Sequence, residues 1–597
     1  MKKRIIGFLV LITFFSGFIG IKKYLDATTA STGRLNFFNK AMVWFVKEVE
    51  KAEERTKQIA RKIGYLVTAP FIKTVNRTHS AVYGNPYAYI PARVRIEDDV
   101  FSPEEKAYLS VRKPFVKKSL EEFIGITIPE GLELPNMMVS LSGGGSRAML
   151  HSWSVMRAFD KMGLLNAISH VSSLSGSTWF LWPWLISGMT LEQYEDKLLS
   201  GVVGGFVPRA ASFVVPIGTK AFKKSINTHK IITEFFVREL VFNRDVTPID
   251  IYGVVLGLIL FEGFGENNDP LQVYMDPLYP NLDSGTIPYP ILTTISIPDV
   301  RWFTATPYEF GASSLGAYVP IWGVDRKFKD GVSVGMVPYP DRVGLSGFIA
   351  MSAAAMAASL GDIYFNLFSG IKEGKIKTLL QAIMEQSPLE RLRFFYYERS
   401  NFLYGVPGLP IYDSLSGKTW GDVKSIKYTD AGVIWVNPIP PLLDRMKPKV
   451  PTILIVQDAS AKVGYPRLKD AKAYADGENP RKKRFSFPEL QKEFPYNKKG
   501  MSILQNDDVL IFYFPRIIDR ELIQKNESNP ELQSLIQRQN FDMDQRLASV
   551  YSTFKLQYTE DNARDLTAVG MFNVLANKEK IRETIKQFVQ RYIQRSQ

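Results

Sequence analysis

The chain has 597 residues, 45% of them apolar and 22% charged, a globular composition that excludes wholesale disorder, collagen and coiled coil. It has no cysteine, which excludes disulfides, thiolate metal sites, cysteine nucleophiles and a lipid anchor on an N-terminal Cys. With 74 Lys+Arg against 60 Asp+Glu the net charge is +14, which suits an anionic partner, either nucleic acid or acidic phospholipid headgroups.

The chain opens with MKKR, followed by an uncharged run from Ile5 to Ile21. A basic start and an apolar stretch predict a signal peptide or an uncleaved signal anchor over residues 1–30. Either would hold Lys2, Lys3 and Arg4 in the cytoplasm and export the remainder, so the expected protein is exported or membrane-anchored, its body outside the cytoplasm. Residues 31–124 read as a helical, basic extension: a charge-rich helix from Asn39 to Leu66, then a proline-bearing surface linker from Pro86 to Pro114. Ile249–Phe261 is apolar but too short to span a bilayer and reads as a buried helix. From about Glu122 strand and helix signals alternate to the end, the pattern of an α/β fold.

The first chemical element is Ser142-Gly143-Gly144-Gly145-Ser146-Arg147. It comes after a short apolar strand, Met137–Leu141, and precedes a helix carrying Met149, Trp153 and Met156 on one face and ending at Gly163. Neither the phosphate-loop nor the dinucleotide spacing is present. Two adjacent amides such as those of Gly144 and Gly145 could form an oxyanion hole. A lone glycine triplet is more often a plain tight turn.

The second element is Ser173-Leu174-Ser175-Gly176-Ser177, between a strand over Ala167–Ser173 and an apolar helix in which Pro183 should cause a kink or an end. A serine on a sharp strand-to-helix turn among small residues has the shape of a nucleophile elbow, here with Ser rather than Gly at the outer positions. An ordinary serine-rich turn is the alternative. Two parallel strands would present the glycine turn and this serine at one sheet edge. A serine nucleophile needs a base. The four histidines, His79, His151, His170 and His229, lack a convincing setting, so a carboxylate is expected instead.

These residues resemble the catalytic domain of cytosolic phospholipase A2 and the fungal lysophospholipases. SGGGSRAM (142–149), SLSGSTW (173–179) and TDAGVIWVNPIPPLL (429–443) occur in the family's order. The similarity continues through TPYEFG (306–311), ILIVQDASAK (453–462), YSTFKLQY (551–558) and MFNVLAN (571–577), and so covers roughly residues 125–595. The resemblance implies a mixed central sheet flanked by helices, in a catalytic domain over 125–597 with a cap inserted between about 190 and 420. It implies Ser175 as nucleophile, Asp430 as base, Gly144 and Gly145 as oxyanion-hole amides, and Arg147 and Lys462 as substrate contacts.

The same resemblance implies a lipid acyl hydrolase that needs no metal or organic cofactor, and since the N-terminal portion reads as too short and too helical for a calcium-dependent lipid-binding domain, calcium-independent action is expected. Its expected partner is a phospholipid membrane or a lysophospholipid substrate, not nucleic acid. The same acyl-serine would serve an acyltransferase, and a site that had lost its chemistry would leave a lipid-binding protein. Ser173 stands in place of the family's usual Gly, Ala431 in place of the commoner Ser, and Lys462 in place of an Arg. Leu282-Asp283-Ser284-Gly285 contains a literal D-S-G, but its surroundings match another family segment, so Asp283 is set aside as the base.

Overall fold

The computed structural model describes residues 85–203, 248–264, 273–335, 342–354, 396–492, 496–553 and 558–597. The apolar start, the helix expected over Asn39–Leu66, His79 and His229 lie outside them. One compact unit comprises Pro91–Val207, Leu256–Val334 and Arg342–Gln597. Of the second unit, only residues 85–90, 248–255 and 335 are described.

The strands in chain order are β1 (Arg95–Ile96), β2 (Asn136–Leu141), β3 (Ile168–Ser173), β4 (Tyr289–Ile297), β5 (Trp302–Ala305), β6 (Glu309–Ala312) and β7 (Ala317–Pro320). They continue with β8 (Lys327–Lys329), β9 (Val332–Val334), β10 (Tyr397–Ser400), β11 (Ile411–Asp413), β12 (Lys418–Thr419), β13 (Ser425–Thr429), β14 (Thr452–Asp458), β15 (Ser502–Gln505) and β16 (Val509–Pro515). Twelve of these form one sheet in the order β1-β7-β6-β5-β4-β3-β2-β14-β16-β15, with β13 on β4 and β10 on β13. The centre, β4-β3-β2-β14-β16, is parallel. The flanks are antiparallel, so the sheet is mixed, as expected.

Burial explains the centre. Every residue of β3 and β14, and Met137–Leu141 of β2, is buried. Strands covered on both faces read as continuous rather than alternating apolar runs, which is why β2 was legible as a short unbroken stretch. Helix α2 (Ser146–Lys161) comes after β2, and α3 (Thr178–Ser187) after β3. Pro183 does not end α3, which runs on to a left-handed Gly188. Trp179, Trp182 and Trp184 on this helix are buried and serve the core. Against α2 packs a late helix, Glu560–Leu575, so closely that a Cβ on Gly570 would lie 2.0 Å from Ser154 Oγ.

Two expected boundaries are corrected. The supposed linker Pro86–Pro114 contains β1, which pairs with β7, and the start of α1 (Pro103–Ile124). Ser102 caps α1 by accepting a hydrogen bond from the Glu105 N–H at 3.1 Å, and Pro103 occupies the first turn, where a missing N–H costs nothing. Pro114 is tolerated inside the helix because one face, including Tyr108, Arg112, Val116, Leu120 and Phe123, is buried against the sheet body. Arg112 there donates to the carbonyls of Ile168 at 3.0 Å and Gly285 at 2.7 Å. Second, the span expected to be cap, about 190–420, is not cap throughout, since β4 to β7 within it belong to the central sheet. The helix expected over Ile249–Phe261 forms as Pro248–Leu260.

Candidate active site

The glycine turn and the serine elbow leave adjacent parallel strands at the same edge of the sheet, since Leu141 of β2 lies opposite Ser173 of β3. Ser177 ties them together: its hydroxyl lies 2.9 Å from the Leu141 carbonyl and 2.8 Å from that of Leu174, and it accepts from the Leu174 N–H at 2.9 Å. Ser175 has a left-handed backbone, φ 54°, a conformation that is uncommon for a residue with a side chain and that clusters at functional sites. Its N–H donates to Ser352 Oγ at 3.1 Å. Ser352 is the last residue of α4 (Leu345–Ser352) and is buried.

Gly176 and Gly145 allow the two turns to touch. A Cβ on Gly176 would lie 1.9 Å from the Gly145 carbonyl oxygen. Gly145 itself has φ 64°, and a Cβ there would meet the Thr553 carbonyl oxygen at 2.3 Å. The Gly143 N–H donates to the Val436 carbonyl at 2.9 Å. The N–H groups of Gly144 and Gly145 have no hydrogen-bond partner among the described residues, and a side chain built on Gly143 would touch Ser175 Cβ at 3.3 Å. Two amides therefore stay unengaged in the glycine turn that packs against the serine turn, at the positive end of α2.

Asp430 comes from the other direction. It lies directly after β13, is 1% exposed, and accepts the Gly432 N–H at 2.7 Å through Oδ1. Burial pushes its carboxyl up to about 6, against the smaller downward pull of the Gly432 amide's hydrogen bond and of the nearby Ser175 hydroxyl. The Ser175 hydroxyl thus lies near enough to the Asp430 carboxylate to pull its titration down, although the two are about 255 residues apart in sequence.

The meeting is arranged by β4. Leu292 of β4 faces Ser173 of β3 and also Ala305 of β5. Ile295 of β4 faces Thr429 of β13 and also Trp302 of β5. Strands β3 and β13 therefore lie on the same side of β4, run in opposite directions, and end facing each other across Thr293 and Thr294. The nucleophile candidate stands two residues past one end, the carboxylate one residue past the other.

Arg147 is brought close but faces away from solvent. It is 1% exposed, and its guanidinium donates to the carbonyls of Ala459 and Tyr551, both at 2.5 Å, and to Thr553 Oγ1 at 3.1 Å. Burial, then the charge of Arg516, pushes it down to about 9. Lys462 is exposed, and its carbonyl accepts from Ser460 Oγ and Arg467 Nε. Asp283 is exposed beyond the opposite end of β4, where it accepts from the Tyr308 hydroxyl at 3.2 Å. His151 bonds Gln457, and burial and the charges of Arg516 and Arg147 push it down to about 3. His170 bonds Glu105 and Ser169 near the start of β3. Neither histidine hydrogen-bonds Ser175. Among the described residues no cluster of three His, Asp or Glu could hold a metal ion. Sequence reasoning missed Ser352, Thr293 and Thr294, which carry no motif of their own.

Residues 137–386 match the lysophospholipase catalytic domain. Human cytosolic phospholipase A2 zeta is 28% identical over 278 residues, 44% of this chain and 30% of that protein. Mouse cytosolic phospholipase A2 gamma is 26% identical over 283 residues, 46% of this chain and 42% of that protein. The chain thus spans less than half the length of these relatives. The solved structure of human GIVD cytosolic phospholipase A2 superimposes with a TM-score of 0.63 at 17% identity, over 83% of this chain and 66% of that one. The chain has that fold, and the family likeness read from the motifs is found. The expectation of an exported or membrane-anchored protein is corrected: these relatives are named as cytosolic enzymes, and no helix among the described residues is long and apolar enough to cross a membrane.

Proposed function

We propose that the protein is a carboxylic ester hydrolase of the phospholipase A2 and lysophospholipase type, releasing fatty acid from glycerophospholipids or lysophospholipids. The observation that carries this reading is the nearness of Ser175, held at φ 54° on a strand-to-helix turn, to the buried carboxylate of Asp430, past the facing ends of β3 and β13. Asp430 takes the Ser175 hydroxyl proton as Oγ attacks the ester carbonyl carbon. A base titrating at about 6 is ionised at neutral pH yet basic enough to accept that proton. The Gly144 and Gly145 N–H groups stabilise the resulting oxyanion, a contribution worth about 10²–10³ in rate per donor. As the tetrahedral centre collapses, the ester bond breaks and Asp430 returns the proton to the departing alkoxide of the lysolipid or glycerophosphodiester. Water then repeats the sequence on the acyl-serine, releasing the fatty acid and restoring the Ser175 hydroxyl.

Of the two phosphate contacts that the resemblance implies, Arg147 and Lys462, the proposed one is Lys462. Lys462 is free to make one, whereas Arg147 would have to exchange carbonyl partners to do so. The test is acyl release from mixed phospholipid and lysophospholipid vesicles without calcium, comparing wild type with folded Ser175→Ala and Asp430→Asn. Release by wild type alone supports the reading. Activity surviving Ser175→Ala removes the assigned nucleophile. Acyl transfer to an added alcohol in preference to water would move the reading to an acyltransferase.

A further inference from the structure

We propose that Thr293 and Thr294 of β4 are positioning residues that set the separation of Ser175 and Asp430; this rests on the proposed dyad. The two threonines are consecutive, so their side chains leave opposite faces of the sheet. Both are 0% exposed. Thr293 Oγ1 donates to the carbonyl of Ser173, the last residue of β3, at 2.9 Å. Thr294 Oγ1 lies 2.7 Å from the carbonyl of Thr429, the last residue of β13 and the one before Asp430.

A β-strand normally has its neighbour's length to hold it. Here β3 stops opposite Leu292 and β13 stops opposite Ile295, so the ladder is interrupted where the dyad forms. Each threonine hydroxyl supplies a tether at one broken end. Thr294 Oγ1 also lies 3.3 Å from the Met351 carbonyl. The next residue, Ser352, accepts the Ser175 N–H at 3.1 Å. One hydroxyl thus registers the base strand against the helix end that holds the nucleophile's backbone. A buried Oγ1 with one proton donates to these two carbonyls in alternation or as a shared bond.

Such residues act through geometry. A misplacement of about 1 Å between reacting groups can cost about 10² in rate. Thr294→Val keeps the shape of the side chain and removes the tether. The expected result is a fall in kcat of about tenfold to a hundredfold with KM within about twofold, and an equal fall in the rate at which a fluorophosphonate labels Ser175. Thr294→Ser, which restores a hydroxyl, should recover most of both rates. Thr293→Val should act similarly through the Ser173 end.

A merely structural threonine would lower the melting temperature and the fraction of labelled protein while leaving the labelling rate of the folded fraction unchanged. That outcome, or a folded Thr294→Val with wild-type kcat, overturns the proposal. If Thr294→Val does not fold, Ser352→Ala reads the same linkage from its other end, and wild-type labelling there overturns it instead. The dyad reading fails separately, by activity persisting in Ser175→Ala or Asp430→Asn.

Discussion

Gly176 and Gly145 stand so close that a Cβ on Gly176 would lie 1.9 Å from the Gly145 carbonyl oxygen. The contact joins the turn carrying the candidate nucleophile to the turn carrying the open amides. A backbone oxygen cannot swing aside as a flexible side chain would, so Gly176→Ala must push the turns apart. Overpacking typically costs about 1–3 kcal/mol, and the displaced groups are the ones proposed to react. The variant is expected to melt earlier and to lose fluorophosphonate labelling even where it remains folded. Wild-type labelling of a folded Gly176→Ala protein would show that the contact is dispensable.

Asp430 links activity and stability with opposite signs. As the proposed base it must be ionised, so kcat/KM should rise with pH about a midpoint near 6. Stability runs the other way. Burial raises the folded carboxyl from 3.8 to about 6, so the native state binds the proton more tightly than the unfolded state. That contribution is present in acid and is lost as pH rises from about 4 to about 6. At neutral pH the buried charge costs about 3 kcal/mol relative to a neutral group. Asp430→Asn is therefore expected to abolish acyl release and to raise the melting temperature at pH 8, with little gain at pH 4. Melting curves at the two pH values, set beside activity, check both signs; an Asn variant destabilised at pH 8 contradicts the assignment.

The sequence made the two strand–turn–helix units legible because each is local. The apolar run before Ser142 and the helical spacing of Met149, Trp153 and Met156 report burial within about twenty residues of chain. Asp430 was reachable only through family resemblance, since nothing local says that β13 ends opposite β3. The partners that hold the site were out of reach for the same reason. Ser175 rests on Ser352, and Arg147 rests on Ala459 and Tyr551, each joined across a gap in sequence that carries no periodic signal. The proline-bearing segment misled because Pro103 and Pro114 read as breakers, while the S-P-E-E start of α1 was the capping signal that outweighed them.

Arg147 offers a choice between two roles that kinetics can separate. If it reaches the substrate phosphate, Arg147→Lys should raise KM for phospholipid and leave a small neutral ester unaffected. Its observed bonds to Ala459, Tyr551 and Thr553 predict something else. A lysine cannot reproduce a fork that holds two carbonyls and a hydroxyl on two segments flanking the glycine turn. The expected result is comparable loss of kcat on both substrates, with a destabilisation of about 2–3 kcal/mol from buried carbonyls left unpaired. A selective rise in KM for the phospholipid would assign Arg147 to the substrate.

Far from the proposed dyad, Glu105 of α1 and Arg445 bind each other with both side chains 1% exposed, and His170 bonds the same carboxylate at 3.2 Å. Burial would raise the Glu105 carboxyl, but the charge of Arg445 and the hydrogen bonds from His170 and Arg445 outweigh it and hold the group below its usual range. Its stabilisation is therefore present above about pH 4.5 and is lost as pH falls through the depressed folded value. Glu105→Gln leaves the Arg445 charge buried without a counter-charge, which typically costs about 3–5 kcal/mol. Denaturant titration at pH 7 should show that loss, with a smaller difference from wild type in acid. Removing both charges, in Glu105→Leu with Arg445→Met, should cost less than the single change, because a buried pair replaced by apolar groups often breaks even. Activity per folded molecule should stay near wild type in all of these, since His170 sits near the start of β3 while Ser175 lies beyond its end. A double variant as unstable as the single one would mean that shape rather than charge holds α1 to the sheet.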